Sequence, residues 1–290
     1  MSNPILVTGA TGTVGSEVVR QLSARGVNVC ACCHTLSKAD MIRGPGVEIK
    51  ETDYTRLDTV EAAFKGSEKL FLVTTPLIDN LMEITPQLVE EAKKAGIKHI
   101  VKLSNMDMFT EEEAKIPPIG WHRQEERIIE ESGIPYTFLR PAGFMQNFFM
   151  HVDTIKAQNA IYTITGEGTE GFIDARDIAA VAVEALTGEG HEGKIYSITG
   201  PEAVSYDQAA EVLSDVLGRK ITHVKMSEED ARKGFVEAGW PDWLLNAYLV
   251  GGRITREGRT STVTSTVEEV TGKKPTTFEQ FAREHAEIFK

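Results

Sequence analysis

Four glycines, Gly26, Gly66, Gly96 and Gly133, each stand at the seam between an amphipathic stretch of helix length and an apolar run of strand length. Glycine just past a helix end takes the left-handed conformation that other residues reach only against a Cβ clash. The spacing predicts helices over Thr13–Arg25, Arg56–Lys65, Asn80–Ala95 and Gly120–Ser132. Strands are predicted over Pro4–Thr8, Val27–Cys33, Val47–Glu51, Lys69–Thr74, Lys98–Ser104 and Pro135–Arg140. A repeated helix–glycine–strand unit is the pattern of βαβ crossovers. The strands are apolar runs rather than alternations, as expected where helices cover both faces of a sheet. The fold class read from this is α/β, a doubly wound parallel sheet.

The rhythm breaks in the second half. Gly166–Gly171 reads as a loop, followed by a helix near Arg176–Thr187 and a strand at Lys194–Ile198. A helix over Ala203–Leu217, a strand at Ile221–Val224, a helical region from Ser227 to about Arg256 and a last helix at Thr277–Phe289 follow. Residues 1–150, completed by about 172–199, are expected to form a nucleotide-binding core. Residues 151–171 and 200–290 are expected to form a smaller, mixed substrate lobe.

Composition narrows the function classes. Hydrophobic residues are 41% and charged residues 26%, which excludes collagen-like and wholly disordered chains. A formal charge of −12 with no basic patch disfavours nucleic acid as a partner. No apolar run nears the roughly 18 residues of a membrane span, and the first residues lack the basic start of a signal peptide. The cysteines, Cys30, Cys32 and Cys33, lie too close together to staple distant parts of a fold. Ending at His34 they make a CxCCH run, but the apolar setting favours small hydrophobes in a buried strand, so no metal is expected. The expected setting is a reducing compartment, the cytoplasm, with the chain a monomer or homodimer.

The residues that carry chemistry begin with Gly9-Ala10-Thr11-Gly12-Thr13-Val14-Gly15, which follows the first strand and opens the first helix. In that context Gly9 permits the tight turn, Gly12 lets backbone approach a pyrophosphate, and Gly15 lets helix and strand pack closely. The helix N-terminus adds unpaired N–H groups. The sheet is therefore expected to be of the Rossmann type, binding a dinucleotide. An NAD site usually carries an acid about 20 residues on, for the ribose 2′-hydroxyl. No acid lies between Glu17 and Asp40; His34, Thr35, Ser37 and Lys38 stand there instead and suit a 2′-phosphate. NADP(H) is expected in preference to NAD(H). Asp53 either accepts from the adenine amino group or caps the helix starting near Arg56. Thr74-Thr75-Pro76 and Ser104-Asn105-Met106 end the fourth and fifth strands, at the carboxyl edge where ligands of such sheets bind.

Several further segments carry a resemblance. The glycine turn, Leu103–Met106 (LSNM), Trp121–Phe148, Phe172–Ala179 (FIDARDIA) and Tyr196–Ala210 resemble the NmrA-like branch of the atypical short-chain dehydrogenases over almost the whole chain. The resemblance implies a dinucleotide along Gly9, Thr11, Gly12, Thr13, Val14 and Gly15, the end of the second strand and Thr74–Pro76. It implies a nicotinamide near Leu103, Ser104 and Asn105 and near Arg140–Phe144, which includes Pro141 and Phe144. A pocket for a flat, apolar acceptor is implied between Phe144–Phe148 and the C-terminal lobe, with Met106, Met145, Asn147, Phe148, Trp240 and Trp243 as candidates.

One departure bears on mechanism. Ordinary short-chain dehydrogenases place Tyr-x-x-x-Lys on the helix after the fifth strand, where the Tyr protonates a carbonyl. By distance from Ser132-Gly133, the corresponding positions here are His122 and Glu126. His122 is a candidate proton donor, or alternatively a helix residue that contacts cofactor or lid. The function expected is NAD(P)H-dependent reduction of a small conjugated acceptor such as a quinone or dye. The alternative is a non-catalytic NADP(H) sensor acting through a protein partner.

Overall fold

The computed structural model describes residues 3–74 and 81–290. The first half runs β1 (Ile5–Val7), α1 (Thr13–Ala24), β2 (Val29–Cys33), β3 (Val47–Glu51), α2 (Leu57–Phe64), β4 (Lys69–Leu72), α3 (Leu81–Lys94), β5 (His99–Leu103), α4 (Trp121–Ser132) and β6 (Tyr136–Pro141). The second half runs α5 (Val152–Gln158), β7 (Ala160–Thr163), β8 (Thr169–Glu170), α6 (Ala175–Thr187), β9 (Lys194–Ile198), β10 (Val204–Ser205), α7 (Tyr206–Leu217), β11 (Thr222–Lys225), α8 (Glu228–Glu237), α9 (Asp242–Arg256), α10 (Thr266–Thr271), α11 (Phe278–Glu284) and α12 (Ala286–Phe289).

Seven strands form one sheet in the order β3-β2-β1-β4-β5-β6-β9. β1 pairs in parallel with β2 through Leu6↔Cys30 and with β4 through Leu6↔Leu70. The strand order reverses there, so the switch point lies just beyond β1, where the glycine turn begins. At the outer edge Gly193 N donates to Tyr136 O at 2.6 Å, which ties β9 to β6. The four seam glycines have φ of 73°, 84°, 76° and 76°, the left-handed values the helix-to-strand reversals need. Helix α1 buries Val14, Val18, Val19 and Leu22, a stripe at helical spacing, and packs against α6, while α3 packs against α4. Cys30, Cys32 and Cys33 are free and buried in β2.

By backbone contacts the chain divides into two compact units. The first is Met1–Asn105, Trp121–Pro141 and Ala175–Ser197; the second is Met106–Gly120, Ala142–Asp174 and Ile198–Lys290. Segments 106–120 and 142–150 thus group with the second unit. That unit holds two small sheets, β10 antiparallel to β8 and β11 parallel to β7. Its core is an aromatic cluster around Phe148, Phe172, Phe278 and Phe281.

Differences from the sequence reading are local. Thr169–Glu170, expected within a loop, forms β8; a two-residue ladder leaves no period-2 trace. The Ala203–Leu217 helix starts only at Tyr206, because Ser205 caps it with Gln208 in a reciprocal box. The 227–256 region is two helices separated at Pro241, and the last helix breaks at His285. α5, β7 and α10 carry no strong periodicity and were not predicted. Among the described residues, no helix is long and apolar enough to cross a membrane.

Candidate active site

The glycine turn is built as its composition requires. Gly9 has φ of +58°, and a Cβ there would lie 3.1 Å from Val73 Cβ. Gly12 N donates to Gly9 O at 2.9 Å and closes the turn. A Cβ on Gly15 would stand 2.2 Å from Gly9 O and 2.8 Å from its carbonyl carbon, so α1 rests on the turn as closely as backbone allows. Gly12 is the N-cap of α1 and brings no side chain to cap it; Gly12 and Thr13 are exposed. Among the described residues, no protein group accepts from Thr13 N or Val14 N. Open N–H donors at the positive end of a helix dipole, with no Cβ in the way, fit a pyrophosphate.

His34, Ser37 and Lys38 all lie exposed beyond β2, and Lys38 N donates to Thr35 O at 3.0 Å. Asp53 Oδ1 accepts from Thr55 N at 2.9 Å and Thr55 Oγ1 at 2.7 Å, which holds its carboxyl below the usual range. The N-cap of α2 is Arg56, so Asp53 closes a turn ahead of the helix and does not cap it. Thr75 and Pro76 lie outside the described residues.

Two buried ionic clusters sit under the ends of β4 and β5, and neither was read from the sequence. Lys102 on β5 is fully buried. Its Nζ meets Glu125 Oε2 at 2.9 Å and donates to Leu103 O at 2.7 Å and Thr74 Oγ1 at 3.2 Å. Glu125 is also fully buried and accepts from Thr85 Oγ1 at 3.1 Å. Burial pushes its carboxyl up, but Lys102 and His122 pull harder, and the net shift is downward. His122 Nδ1 lies 3.1 Å from Glu125 Oε2 and 3.4 Å from Lys102 Nζ. Burial, then Lys102, lowers the imidazole pKa. Donating through Nδ1 to Glu125, a neutral His122 has no proton on Nε2 and is a poor acid.

The second cluster centres on Glu126, one residue on. It accepts from Ser104 Oγ at 2.6 Å and from Arg140 Nη2 at 2.7 Å, and pairs with Arg123. Arg123 also donates to Asn105 O. Glu126 thereby ties the ends of β5 and β6 together. Ser104 and Asn105, both expected along the cofactor, are thereby held through side chain and backbone respectively. Leu103 is half-buried and Pro141 buried at the end of β6.

In the second unit Phe144 is half-buried and bridges to Ile173, while Asn147 is exposed. Met106 is buried, as is Met145. Phe148, a pocket candidate from the sequence, has no accessible surface. Its ring lies 4.6 Å from Phe278, 5.0 Å from Tyr206 and 5.2 Å from Phe172. Met145 and Phe148 are core residues, not pocket lining. Phe148→Ala should therefore cost about 3–5 kcal/mol of stability, read as a lowered urea midpoint; an unchanged midpoint would count against this packing. Trp240 packs 4.3 Å from Phe235 in a separate cluster with Tyr248, and Trp243 lies half-buried on the first turn of α9.

The sequence profile of the NmrA-like family matches residues 1–282. The chain is 36% identical over 285 residues to the NAD(P)H azoreductase of Xenophilus azovorans, covering 98% of this chain and 99% of that one. Among solved structures, triphenylmethane reductase from Citrobacter sp. complexed with NADP(H) superposes with a TM-score of 0.83 at 29% identity, over 97% of this chain and 99% of that one. The NADPH-dependent quinone oxidoreductase of Escherichia coli complexed with NADPH gives a TM-score of 0.84 at 25% identity, with the same coverage. A seven-stranded sheet that turns through Gly9–Gly15 at its switch point, and a profile match through residue 282, place this chain in one family: it belongs to the NmrA-like family.

Proposed function

We propose that this protein is an NAD(P)H-dependent reductase of small conjugated acceptors, such as azo dyes, quinones and cationic triarylmethane dyes. The observation that carries the reading is the end-to-end likeness to NAD(P)H azoreductase. The glycine turn agrees with it, since its open N–H groups suit the pyrophosphate of a nicotinamide dinucleotide. When bound, such a cofactor supplies the hydride. The chain's own part is then to hold and orient. The Gly12–Val14 backbone grips the pyrophosphate, and Thr74, Leu103, Ser104 and Asn105 border the nicotinamide half. The Lys102–Glu125–His122 cluster keeps the floor beneath them rigid. His122 acts as a positioning residue in this scheme rather than as the acid. The test is NADPH oxidation followed at 340 nm with each acceptor class; tight NADPH binding without turnover of any acceptor would point instead to a non-catalytic sensor.

The finer proposal is a preference for NADP(H). It is supported by the missing acid between Glu17 and Asp40 and by the exposed His34, Ser37 and Lys38 beyond β2. Fluorescence titration should find NADPH bound at least about tenfold tighter than NADH, or about 1.4 kcal/mol. The His34→Ala/Lys38→Ala double variant should lose most of that difference. Tighter NADH binding in the wild type would refute the preference.

A further inference from the structure

Cys30 and Cys32 have no part in the scheme so far. They stand two residues apart on β2, so their side chains leave the same face of the strand. Both sit in one hydrophobic cluster with Val60, Ala63 and Phe64 of α2, whereas Cys33, on the opposite face, is absent from it. β2 lies next to β3, the edge strand of the sheet, where Glu48 is the register partner of Cys30 and Lys50 that of Cys32. Cys30 Sγ donates to Ala63 O at 3.6 Å. Lys50 Nζ donates to Ala62 O at 3.3 Å and to the same Ala63 O at 3.5 Å, so an ammonium and a thiol share one carbonyl. Both thiols are buried, while Lys50 beside them is partly exposed.

The two thiols are unequal. A hydrogen bond from Cys32 lowers the Cys30 thiol from its ordinary value, with help from Lys50 and against burial and Glu48. The same hydrogen bond, with burial, pushes Cys32 well up. Tyr54, packed on this cluster, has its hydroxyl pushed up by burial and brings no charge. The backbone links the pair to the glycine turn. Ala10 N donates to Cys32 O at 3.1 Å, and β1, which feeds the turn, pairs with β2 through Leu6↔Cys30 and Val7↔Ala31. Alternate residues of a strand stand about 6.6 Å apart, at twice a rise of about 3.3 Å. Disulfide-bridged Cα atoms are usually about 5.5–6 Å apart. A bridge between Cys30 and Cys32 therefore shortens β2 and draws Cys32 O away from Ala10 N.

Resting on the reading of Gly9–Gly15 as the dinucleotide site, we propose that Cys30 and Cys32 form a redox switch on it: a hydroperoxide joins them in a disulfide, and the shortened strand releases the turn and weakens dinucleotide binding. The hydroperoxide reaches Cys30 when the Lys50 side chain swings out. The Cys30 thiolate attacks the O–O bond; an S–O bond forms, and the leaving alkoxide or hydroxide takes up the proton lost by Cys30. The Cys32 sulfur then attacks the sulfenic acid. The S–S bond forms, the S–O bond breaks, and water leaves with the Cys32 proton. Two thiols are thus oxidised by two electrons, and the hydroperoxide is reduced to an alcohol, or to water if it is hydrogen peroxide, with one further water formed. A bridge strained in this way is readily reduced by a small thiol, as a reversible switch requires.

The test treats the full chain with hydrogen peroxide, maps its thiols by differential alkylation, and titrates NADPH by fluorescence. The wild type should form an intramolecular Cys30–Cys32 disulfide, and its NADPH dissociation constant should rise about tenfold or more. Dithiothreitol should restore both; it does not reduce methionine sulfoxide, so recovery separates the switch from methionine damage. Cys33→Ala should behave as the wild type. Cys32→Ala should take up oxygen at Cys30 without a bridge and keep its NADPH affinity. Lys50→Met should bind NADPH normally when reduced and close its bridge at least about threefold more slowly, through a smaller thiolate fraction. Failure of the pair to close, a bridge through Cys33 or between chains, closure as fast without Lys50, or peroxide-induced loss of binding in Cys32→Ala would each overturn the proposal. A closed pair with unchanged NADPH affinity overturns it while leaving the dinucleotide reading intact. A reduced wild type that binds no dinucleotide fails that reading, and the proposal falls with it.

Discussion

Lys102→Met is expected to lose about 3–5 kcal/mol of stability, because it strands a fully buried Glu125 carboxylate without its cation. Urea unfolding should register this as a lower midpoint at unchanged slope. The Lys102→Met/Glu125→Leu double variant should recover most of the loss, since a whole buried pair can often be replaced by apolar groups at little cost. The pH dependence should also change. In the wild type the imidazole of His122 has a lowered pKa, so the unfolded chain binds more protons there and stability rises as pH passes upward through the unfolded value. In Lys102→Met the neighbouring cation is gone and the lone Glu125 favours protonated His122. Burial, the larger cause of the lowering, still acts, so the rise of stability over that pH range should be smaller than in the wild type. A single variant within about 0.5 kcal/mol of wild type would mean that the pair is not structural.

The glycine turn supplies the second large effect, and two substitutions separate its roles. Gly12→Asp puts a carboxylate at an exposed N-cap whose φ of −85° any residue accepts. It should keep the fold within about 1 kcal/mol yet reduce NADPH and NADH binding beyond detection, since like charges meet at the closest backbone approach. Gly15→Ala drives a methyl into Gly9 O, a rigid backbone atom. It should lose both binding and about 1–3 kcal/mol of stability. Fluorescence titration beside urea unfolding distinguishes the two. A Gly12→Asp protein that still binds NADPH would remove the turn from the cofactor site.

The turn was legible because its logic is local: three glycines at fixed offsets, between a strand and a helix. The seam glycines and the parallel sheet were legible for the same reason. Lys102 was not, because a single Lys in an apolar strand gains its meaning from Glu125 and His122, some twenty residues away on α4. That helix reads as polar, and its solvent face is easily mistaken for its buried one; Glu125 and Glu126 point into the sheet. Strand β8 was hidden between glycines that signal a loop. Phe148 was misplaced because a resemblance locates a segment near a pocket but does not say which side chains of the segment face inward. The aromatic cluster that claims Phe148 is assembled from Phe172, Tyr206 and Phe278, residues far apart along the chain.

The chain passes between its two units five times, at 105/106, 120/121, 141/142, 174/175 and 197/198. No single cut releases either unit whole, so neither can be obtained by trimming from one end. Exchange of the second unit between relatives would need five matched junctions at once, which makes shuffling of whole units a difficult route to new specificity. Change is more readily taken up by short segments such as 106–120 and 142–174, each tethered at both ends to the first unit. Variation in the second unit is then written as segment replacement within one inseparable chain.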